Sequence, residues 1–170
     1  RGSEVGDYLV THPLVRKIAF TGETTTGARI MKLAADDIKR VSLELGGKSP
    51  NVVFADADLE AAAASSPMAV FGNTGQDCCA RSRVLVEESV FDEFVEAFVA
   101  QTKKHVVGDP LVDATEIGPL VSSSQRDTVE KYIALARQEG GRLVCGGDRP
   151  RERGFYLSPT VVTGLANSAR

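Results

Sequence analysis

A strand-helix-strand pattern near the start of the chain is the strongest constraint on its fold. Residues 15–21 alternate apolar and polar side chains, which is typical of a β-strand, and residues 41–45 alternate in the same way. Between them, Gly22 and three threonines precede a helical pattern with the apolar residues Ala28, Ile30, Met31, Leu33 and Ala34. This pattern predicts a right-handed βαβ unit with parallel strands, whose first turn leaves free N–H groups that can bind a phosphate.

The alternation of strands and helices continues along the rest of the chain. Apolar runs predict further strands at residues 51–55, 83–87 and 142–147 and a final extended segment at residues 155–162. Helical patterns cover residues 59–71, which a Gly72-Asn73 stop signal follows, and residues 124–139. Another helix is expected to begin near Ser89, because Ser89 and Asp92 form the pattern of a capping box. This order of elements predicts an α/β fold.

The composition favours a small molecule as the partner. The 170 residues include 20 basic and 23 acidic side chains, for a net charge of −3, and neither sign forms a long block. A surface for nucleic acid or for a membrane is therefore not expected. Three cysteines, two of them adjacent, cannot build a disulfide framework and indicate a reducing compartment, so the chain is predicted to be cytoplasmic.

The adjacent cysteines, Cys78 and Cys79, lie between a glycine turn and a basic run. One interpretation is an activated thiol, since the turn can expose backbone N–H groups and the nearby Arg81 and Arg83 would favour a thiolate. The other is that both cysteines are small apolar side chains that pack in the interior, and the residues alone leave both interpretations open. No metal site is expected, because neither of the two histidines is near the pair in sequence.

Glu44 lies near the C-terminal end of the second predicted strand, which is where α/β sheets place their ligands. A carboxylate at this position is a candidate for acid-base chemistry. The alternative is a solvated polar residue on the same strand face as Ser42, and Glu44 taken by itself favours that alternative.

Several segments together resemble the aldehyde dehydrogenase superfamily, and they occur in the order that the family has them. The family's coenzyme-binding turn is similar to FTGETTTG (residues 20–27), the segment of its catalytic glutamate to LELGGKSP (43–50), and its nucleophile loop to GQDCCARSR (75–83). Two further family segments resemble GDPLVDATEIGPLVS (108–122) and GFYLSPTVV (154–162). The resemblance covers essentially the whole chain and is more specific than any one glycine motif.

The resemblance implies an oxidoreductase that converts an aldehyde into a carboxylic acid with NAD(P)+. The family pattern Gly-Gln-x-Cys-x-Ala aligns the nucleophile with Cys78, whose thiolate would form a thiohemiacetal and, after hydride transfer, a thioester. Glu44 would activate the hydrolytic water, and the Cys78 backbone N–H would form part of an oxyanion hole. Members that transfer the acyl group to coenzyme A typically lack this glutamate, so water is the expected acceptor. Cys145 is expected to be a buried strand residue.

The same resemblance implies a site for NAD or NADP formed by Gly22, Glu23, Thr24, Leu45 and Gly46. Glu23 departs from the family pattern, since many members have a serine there whose hydroxyl binds a phosphate that a carboxylate would repel. We expect Glu23 to turn outward, with Thr24 or Thr25 as the phosphate donor.

The resemblance further implies that the chain is a fragment of a longer enzyme. Residues 1–45 would be the C-terminal part of a Rossmann-like coenzyme-binding domain, and residues 46–170 part of the thiol-bearing catalytic domain. The full-length protein is expected to form a homo-oligomer, and the isolated fragment to be inactive. An alternative from another class is a truncated, non-catalytic α/β module in which Cys78 and Cys79 are a redox-active pair.

Asp77, just before the nucleophile, has two interpretations. Its carboxylate could favour a cationic amino-aldehyde as the substrate. It could instead accept a hydrogen bond from the loop backbone, as aspartates in turns commonly do, and this second interpretation is favoured.

Overall fold

The structure is a computed structural model that describes residues 2–170. These residues form two compact units, one that ends at Gly47 and one that runs from Lys48 to Arg170, and each is described by itself. None of the helices in the described part of the chain is long and apolar enough to cross a membrane.

The first unit contains the predicted βαβ motif behind an additional helix. Its elements are helix α1 (Gly2–Thr11), strand β1 (Lys17–Thr21), helix α2 (Thr24–Ala35) and strand β2 (Arg40–Glu44). Strands β1 and β2 pair in parallel, as predicted, with Ile18 opposite Val41 and Phe20 opposite Leu43. These four side chains and Leu33 pack around a buried core that comprises Val10, Ile30 and Ala34.

Helix α1 has no counterpart among the predicted elements. Its sequence, GSEVGDYLVT, contains two glycines and two valines, which form helices weakly in isolation. Packing against α2 supplies the missing stabilisation: Val10 is buried in the shared core, and Arg29 of α2 pairs with Asp7, whose Oδ1 lies 2.9 Å from Arg29 Nε. The helix therefore depends on contacts that are distant in sequence.

Strand β2 ends one residue earlier than predicted, so Leu45 lies outside the strand. The parallel ladder stops at the pair Thr21 and Glu44, and the Gly22 N–H donates to the Glu44 carbonyl at 3.0 Å. The carbonyl group of the last strand residue therefore bonds to the start of the turn. Leu45 follows this residue and takes no part in the ladder.

The second unit begins with a second parallel strand pair. Strand β3 (Pro50–Val53) pairs with strand β4 (Arg83–Val86), and helix α3 (Leu59–Phe71) lies between them in the chain with the bounds that the sequence predicted. The Asp58 carboxylate caps α3 by accepting from the Ala61 N–H at 3.0 Å. Helix α3 packs on the next helix, α4 (Phe91–Thr102), around a core of Val53, Ala63, Phe94 and Phe98.

The predicted capping box at the start of α4 is wrong. The helix begins at Phe91, after a 3-10 turn at Glu88–Val90, and Ser89 does not cap it. The Ser89 hydroxyl instead donates to the Glu87 carboxylate at 3.0 Å, and the same carboxylate accepts from the Ala55 N–H at 2.8 Å. The competing acceptor, Glu87, is placed by the packing of β3 beside β4 and could not be identified from the local pattern.

The remaining elements are helix α5 (Ser123–Gln138), strand β5 (Arg142–Cys145) and strand β6 (Val161–Thr163). Strands β5 and β6 pair in an antiparallel manner. Within the extended segment predicted at residues 155–162, only the end from Val161 joins a strand. Residues 155–160 make scattered backbone bonds, such as Ser158 N–H to Asp148 O at 2.9 Å, and Pro159 has no N–H to donate. Leu157 from this segment nevertheless packs in a small core with Leu120 and Ile133.

Candidate active site

A tight reversal after α3 positions the two adjacent cysteines. Asn73, Thr74 and Gly75 have left-handed backbone conformations, with φ of 50°, 61° and 71°. This conformation is rare for a β-branched residue such as threonine. The Asn73 side-chain amide donates to the Gln76 carbonyl at 3.0 Å and stabilises the reversal. Residues 77–79 consequently lie exposed on the surface of the second unit.

Two side chains of this reversal hold it to a segment more than forty residues later. The Gln76 side-chain oxygen accepts from the Val121 N–H at 3.0 Å, and the Thr74 hydroxyl donates to the Gly118 carbonyl at 3.3 Å. These positioning roles were not predicted from the sequence. The sequence did show that residues 75–83 and 108–122 each resemble a family segment. It did not show that side chains of the first segment bond to the backbone of the second.

Cys78 and Cys79 are both exposed free cysteines, and their Sγ atoms lie 3.7 Å apart. The Asp77 carboxylate accepts from the Cys79 N–H at 3.0 Å, and the Asp77 carbonyl accepts from the Ala80 N–H at 3.1 Å. Of the two interpretations of Asp77, the hydrogen bond to the loop backbone is therefore the one that the structure contains. Of the two interpretations of the cysteines, burial as apolar side chains is wrong for both.

The pKa of the Cys78 thiol lies above its ordinary value. The main cause is the hydrogen bond with Cys79, followed by the charge of Cys79, some desolvation and the Asp77 carboxylate. The expectation that Arg81 and Arg83 favour the thiolate is wrong in this structure, because Arg83 Nε donates to the Lys48 carbonyl at 2.9 Å and neither guanidinium lowers the pKa of the thiol. The surroundings of Cys78 therefore favour the neutral thiol over the nucleophilic thiolate.

The Cys78 backbone N–H is available to a ligand. Within residues 48–170 no acceptor bonds to it, whereas the N–H groups of Cys79, Ala80 and Arg81 are all engaged, the last with the Ala69 carbonyl at 2.9 Å. A free donor next to a thiol can hydrogen-bond to the oxygen atom of a carbonyl group that the thiol attacks.

The first unit brings together the residues that were expected to bind a coenzyme. Gly22 is bonded to the Glu44 carbonyl, and Leu45 packs over the start of α2, where a Cβ atom on Gly27 would lie 2.7 Å from Leu45 Cδ2. A side chain at position 27 would require the Leu45 side chain to shift. Gly46 follows on the exposed side of the same connection.

The N-terminus of α2 has no side-chain cap. Glu23 occupies the N-cap position, but its side chain is exposed and accepts no capping hydrogen bond. Gly27 donates the first intrahelical bond, to the Glu23 carbonyl, so the N–H groups of Thr24, Thr25 and Thr26 precede the bonded part of the helix. Unpaired N–H groups at a helix N-terminus fit a phosphate, as the sequence predicted for this turn.

The remaining candidates lie apart in the chain. Glu44 is the exposed last residue of β2 in the first unit, and Cys78 belongs to the second unit. Cys145 lies in strand β5, as predicted, but it is half-buried rather than buried, and burial raises the pKa of its thiol.

Comparison with known proteins relates the whole chain to one family. The sequence profile of the aldehyde dehydrogenase family matches residues 1–170. A chloroplastic betaine aldehyde dehydrogenase of Atriplex hortensis is 43% identical over 169 residues, which are 98% of this chain and 34% of the relative. A chloroplastic aminoaldehyde dehydrogenase of Arabidopsis thaliana is 44% identical with the same coverage.

Solved structures give the same relationship. The chain matches betaine aldehyde dehydrogenase from Staphylococcus aureus in complex with NAD+ with a TM-score of 0.95 and 40% identity, over 100% of this chain and 35% of that one. It matches an NAD-dependent aldehyde dehydrogenase from Sinorhizobium meliloti with a TM-score of 0.96 and 40% identity, over 99% of this chain and 34% of that one. The predicted α/β fold is confirmed, and the chain spans about a third of the length of these relatives.

Proposed function

The chain belongs to the aldehyde dehydrogenase family, and we propose that the full-length protein of which it forms part oxidises an aldehyde to a carboxylic acid with NAD(P)+. The observation that carries the proposal is the exposed Cys78 thiol beside its own backbone N–H, which no acceptor within residues 48–170 engages, on a loop held by Gln76. The division of residues 1–45 and 46–170 into coenzyme-binding and catalytic parts belongs to the same proposal.

Cys78 is proposed as the nucleophile. Its thiolate adds to the aldehyde carbon, a C–S bond forms, and the electron pair of the C=O bond moves to the oxygen. The Cys78 N–H donates a hydrogen bond to that oxygen and stabilises its charge in the tetrahedral thiohemiacetal. Because the pKa of the thiol is raised, this step requires that a base first removes its proton.

The N-terminus of α2 is proposed to bind the coenzyme. The free N–H groups of Thr24, Thr25 and Thr26 would hold its pyrophosphate. The Leu45 side chain packs closely on Gly27 in the first turn of the same helix. When bound, NAD(P)+ supplies the two-electron oxidant that turns the thiohemiacetal into a thioester. The structures from Staphylococcus aureus and Sinorhizobium meliloti support NAD as the first coenzyme to test.

Glu44 is proposed as the base for the second half of the reaction. Its carboxylate removes a proton from water, the resulting hydroxide attacks the thioester carbon, and the Cys78 sulfur leaves as the thiolate. The exposed position of Glu44 at the end of β2 supports this role, since water can reach the carboxylate.

The substrate is proposed to be an aldehyde with an amino or quaternary ammonium group. The names of the relatives from Atriplex and Arabidopsis describe them as acting on betaine aldehyde and on aminoaldehydes. A homo-oligomer and a cytoplasmic location remain predictions, and relatives named as chloroplastic or peroxisomal show that location varies among similar proteins.

The test uses three variants of the full-length protein and single-turnover kinetics. Cys78→Ala should lower kcat at least about a thousandfold, as expected when a covalent nucleophile is lost. Glu44→Gln should lower kcat by about 10²- to 10⁴-fold but keep a rapid burst of one NAD(P)H per active site, because only hydrolysis requires the base. Cys79→Ala is the matched control and should keep most of the activity. An active Cys78→Ala variant, or a Glu44→Gln variant that also lacks the burst, contradicts the assigned roles.

A further inference from the structure

The exposed loop at residues 77–79 places three possible metal ligands together. One carboxylate oxygen of Asp77 and the Sγ atoms of Cys78 and Cys79 all lie within 4.8 Å of one another. We propose that these three side chains form a binding site for a thiophilic divalent cation, with Zn²⁺ and Cd²⁺ as the ions to test.

The separation of the two sulfurs suits a metal. In tetrahedral coordination with Zn–S bonds of about 2.3 Å, two thiolate sulfurs lie roughly 3.8 Å apart. The Cys78 and Cys79 sulfurs are 3.7 Å apart before any ion is bound. The loop therefore presents both sulfurs at the distance that the ion requires, and the Cys78–Cys79 backbone has no need to move.

The same geometry argues against a disulfide between the two cysteines. Disulfides join residues whose Cα atoms are usually about 4.4–6.8 Å apart, and their sulfurs are bonded at about 2.05 Å. Consecutive residues across a trans peptide have Cα atoms about 3.8 Å apart, and the peptide bonds of the described residues are all trans. The pair is therefore better placed to chelate an ion than to form the redox-active disulfide considered from the sequence.

Asp77 supplies the third ligand. One of its carboxylate oxygens accepts the Cys79 N–H, which holds the side chain beside the sulfurs and leaves the other oxygen for an ion. Two thiolates and a carboxylate carry three negative charges against the two positive charges of the ion, and the fourth position remains open to water. The sequence predicted no metal because no histidine is near. The proposal differs from that expectation because a carboxylate takes the place of the histidine.

Binding has a defined stoichiometry. The cation forms two metal–sulfur bonds as two thiol S–H bonds break, and two protons are released to solvent; no electrons are transferred. Metal binding itself does not depend on the proposed function. Its consequence for catalysis does rest on the proposed function, since the bound cation withdraws negative charge from the Cys78 sulfur and makes it a weaker nucleophile toward an aldehyde.

The experiment titrates the reduced 170-residue chain with Cd²⁺ and Zn²⁺ by calorimetry in two buffers, with proton release followed at neutral pH. We expect one ion and about two protons per chain, and a sulfur-to-cadmium charge-transfer band in the ultraviolet. Removal of an outer-sphere partner typically costs about 10- to 100-fold in affinity, so removal of a direct ligand in Cys78→Ala or Cys79→Ala should cost at least as much. Asp77→Asn should cost about tenfold, and the matched control Cys145→Ala should bind like the wild type.

Three results overturn the proposal: wild-type affinity in Cys79→Ala, release of a single proton per ion, or loss of binding in Cys145→Ala. Circular dichroism shows whether each variant keeps its helices. Equal affinity in the urea-unfolded chain also contradicts it, because the loop geometry would then contribute nothing. None of these readouts measures aldehyde oxidation, so failure of the metal site and failure of the proposed function are distinguishable.

Discussion

The side-chain oxygen of Gln76 accepts a hydrogen bond from the Val121 N–H at 3.0 Å and connects the cysteine loop to a segment 45 residues later in the chain. Gln76→Leu removes this acceptor and leaves the Val121 N–H without a partner in the protein. We expect a loss of about 1 kcal/mol in the free energy of unfolding, the usual net contribution of such a bond. Urea unfolding and hydrogen exchange at Val121 measure it.

Gln138→Leu is the matched control, since Gln138 is an exposed residue at the end of α5. Its unfolding midpoint should stay close to that of the wild type. Unchanged protection of the Val121 amide in Gln76→Leu would show that the bond does not hold the loop.

Glu23 places a carboxylate beside the free N–H groups of α2. Glu23→Ser removes a negative charge next to the proposed phosphate position and adds a hydroxyl donor. Because charges at a helix N-terminus contribute about 0.3–1 kcal/mol, coenzyme affinity of the full-length protein should rise roughly two- to fivefold. Fluorescence titration with NAD+ and NADP+ measures the change. Glu60→Ser, in the first turn of α3, is the control and should not alter the affinity. Weaker binding in Glu23→Ser would mean that the carboxylate contacts the coenzyme favourably.

Asp77 supports the loop through the Cys79 N–H, and an asparagine keeps an oxygen for that bond. In the full-length protein, Asp77→Asn should therefore leave the ratio of kcat/KM for an amino-aldehyde over that for a neutral aldehyde of equal length nearly unchanged. A change of about tenfold or more in that ratio, corresponding to about 1.4 kcal/mol, would instead place the carboxylate in contact with the substrate cation. Asp77→Ala should slow oxidation of both aldehydes alike, because it removes the acceptor of the Cys79 N–H and so destabilises the conformation of the loop.

Glu116 should make the stability of the second unit depend on pH. Its pKa lies below the usual value of 4.5, first because the carboxylate accepts from the Val106 N–H at 2.9 Å, and then because of its bond with His105. A lowered pKa in the folded state adds stability that is present above the unfolded-state value and is lost as the pH falls through the folded-state value.

The difference in urea midpoint between the wild type and Glu116→Gln should therefore be largest near pH 7 and shrink below about pH 4.5. Glu152→Gln, at an exposed loop position, is the matched control and should show no such trend. A difference that stays constant from pH 7 to pH 3 would mean that the ionised carboxylate contributes nothing through these bonds.

Local patterns determined much of the fold. The parallel pairing of β1 with β2 and the bounds of α3 followed from side-chain periodicity and from the Gly72-Asn73 stop signal, both of which act over a few residues. The prediction failed for α1, because the Asp7–Arg29 pair joins segments that are distant in sequence. It failed for the start of α4, because Ser89 bonds to Glu87, whose carboxylate also accepts from the Ala55 N–H in a segment distant in sequence.

The sequence by itself determined the family, the choice of Cys78 over Cys79 as the candidate nucleophile, and the glycine turn that leaves the N-terminus of α2 open. Only the tertiary structure decided the surroundings of that thiol: a neighbouring sulfur at 3.7 Å and a carboxylate rather than arginines. Three successive residues in the left-handed conformation and the Gln76–Val121 hydrogen bond determine the orientation of the cysteine loop. Spacing in sequence identifies which residues are near in the chain, whereas backbone dihedrals and distant hydrogen bonds determine which atoms meet.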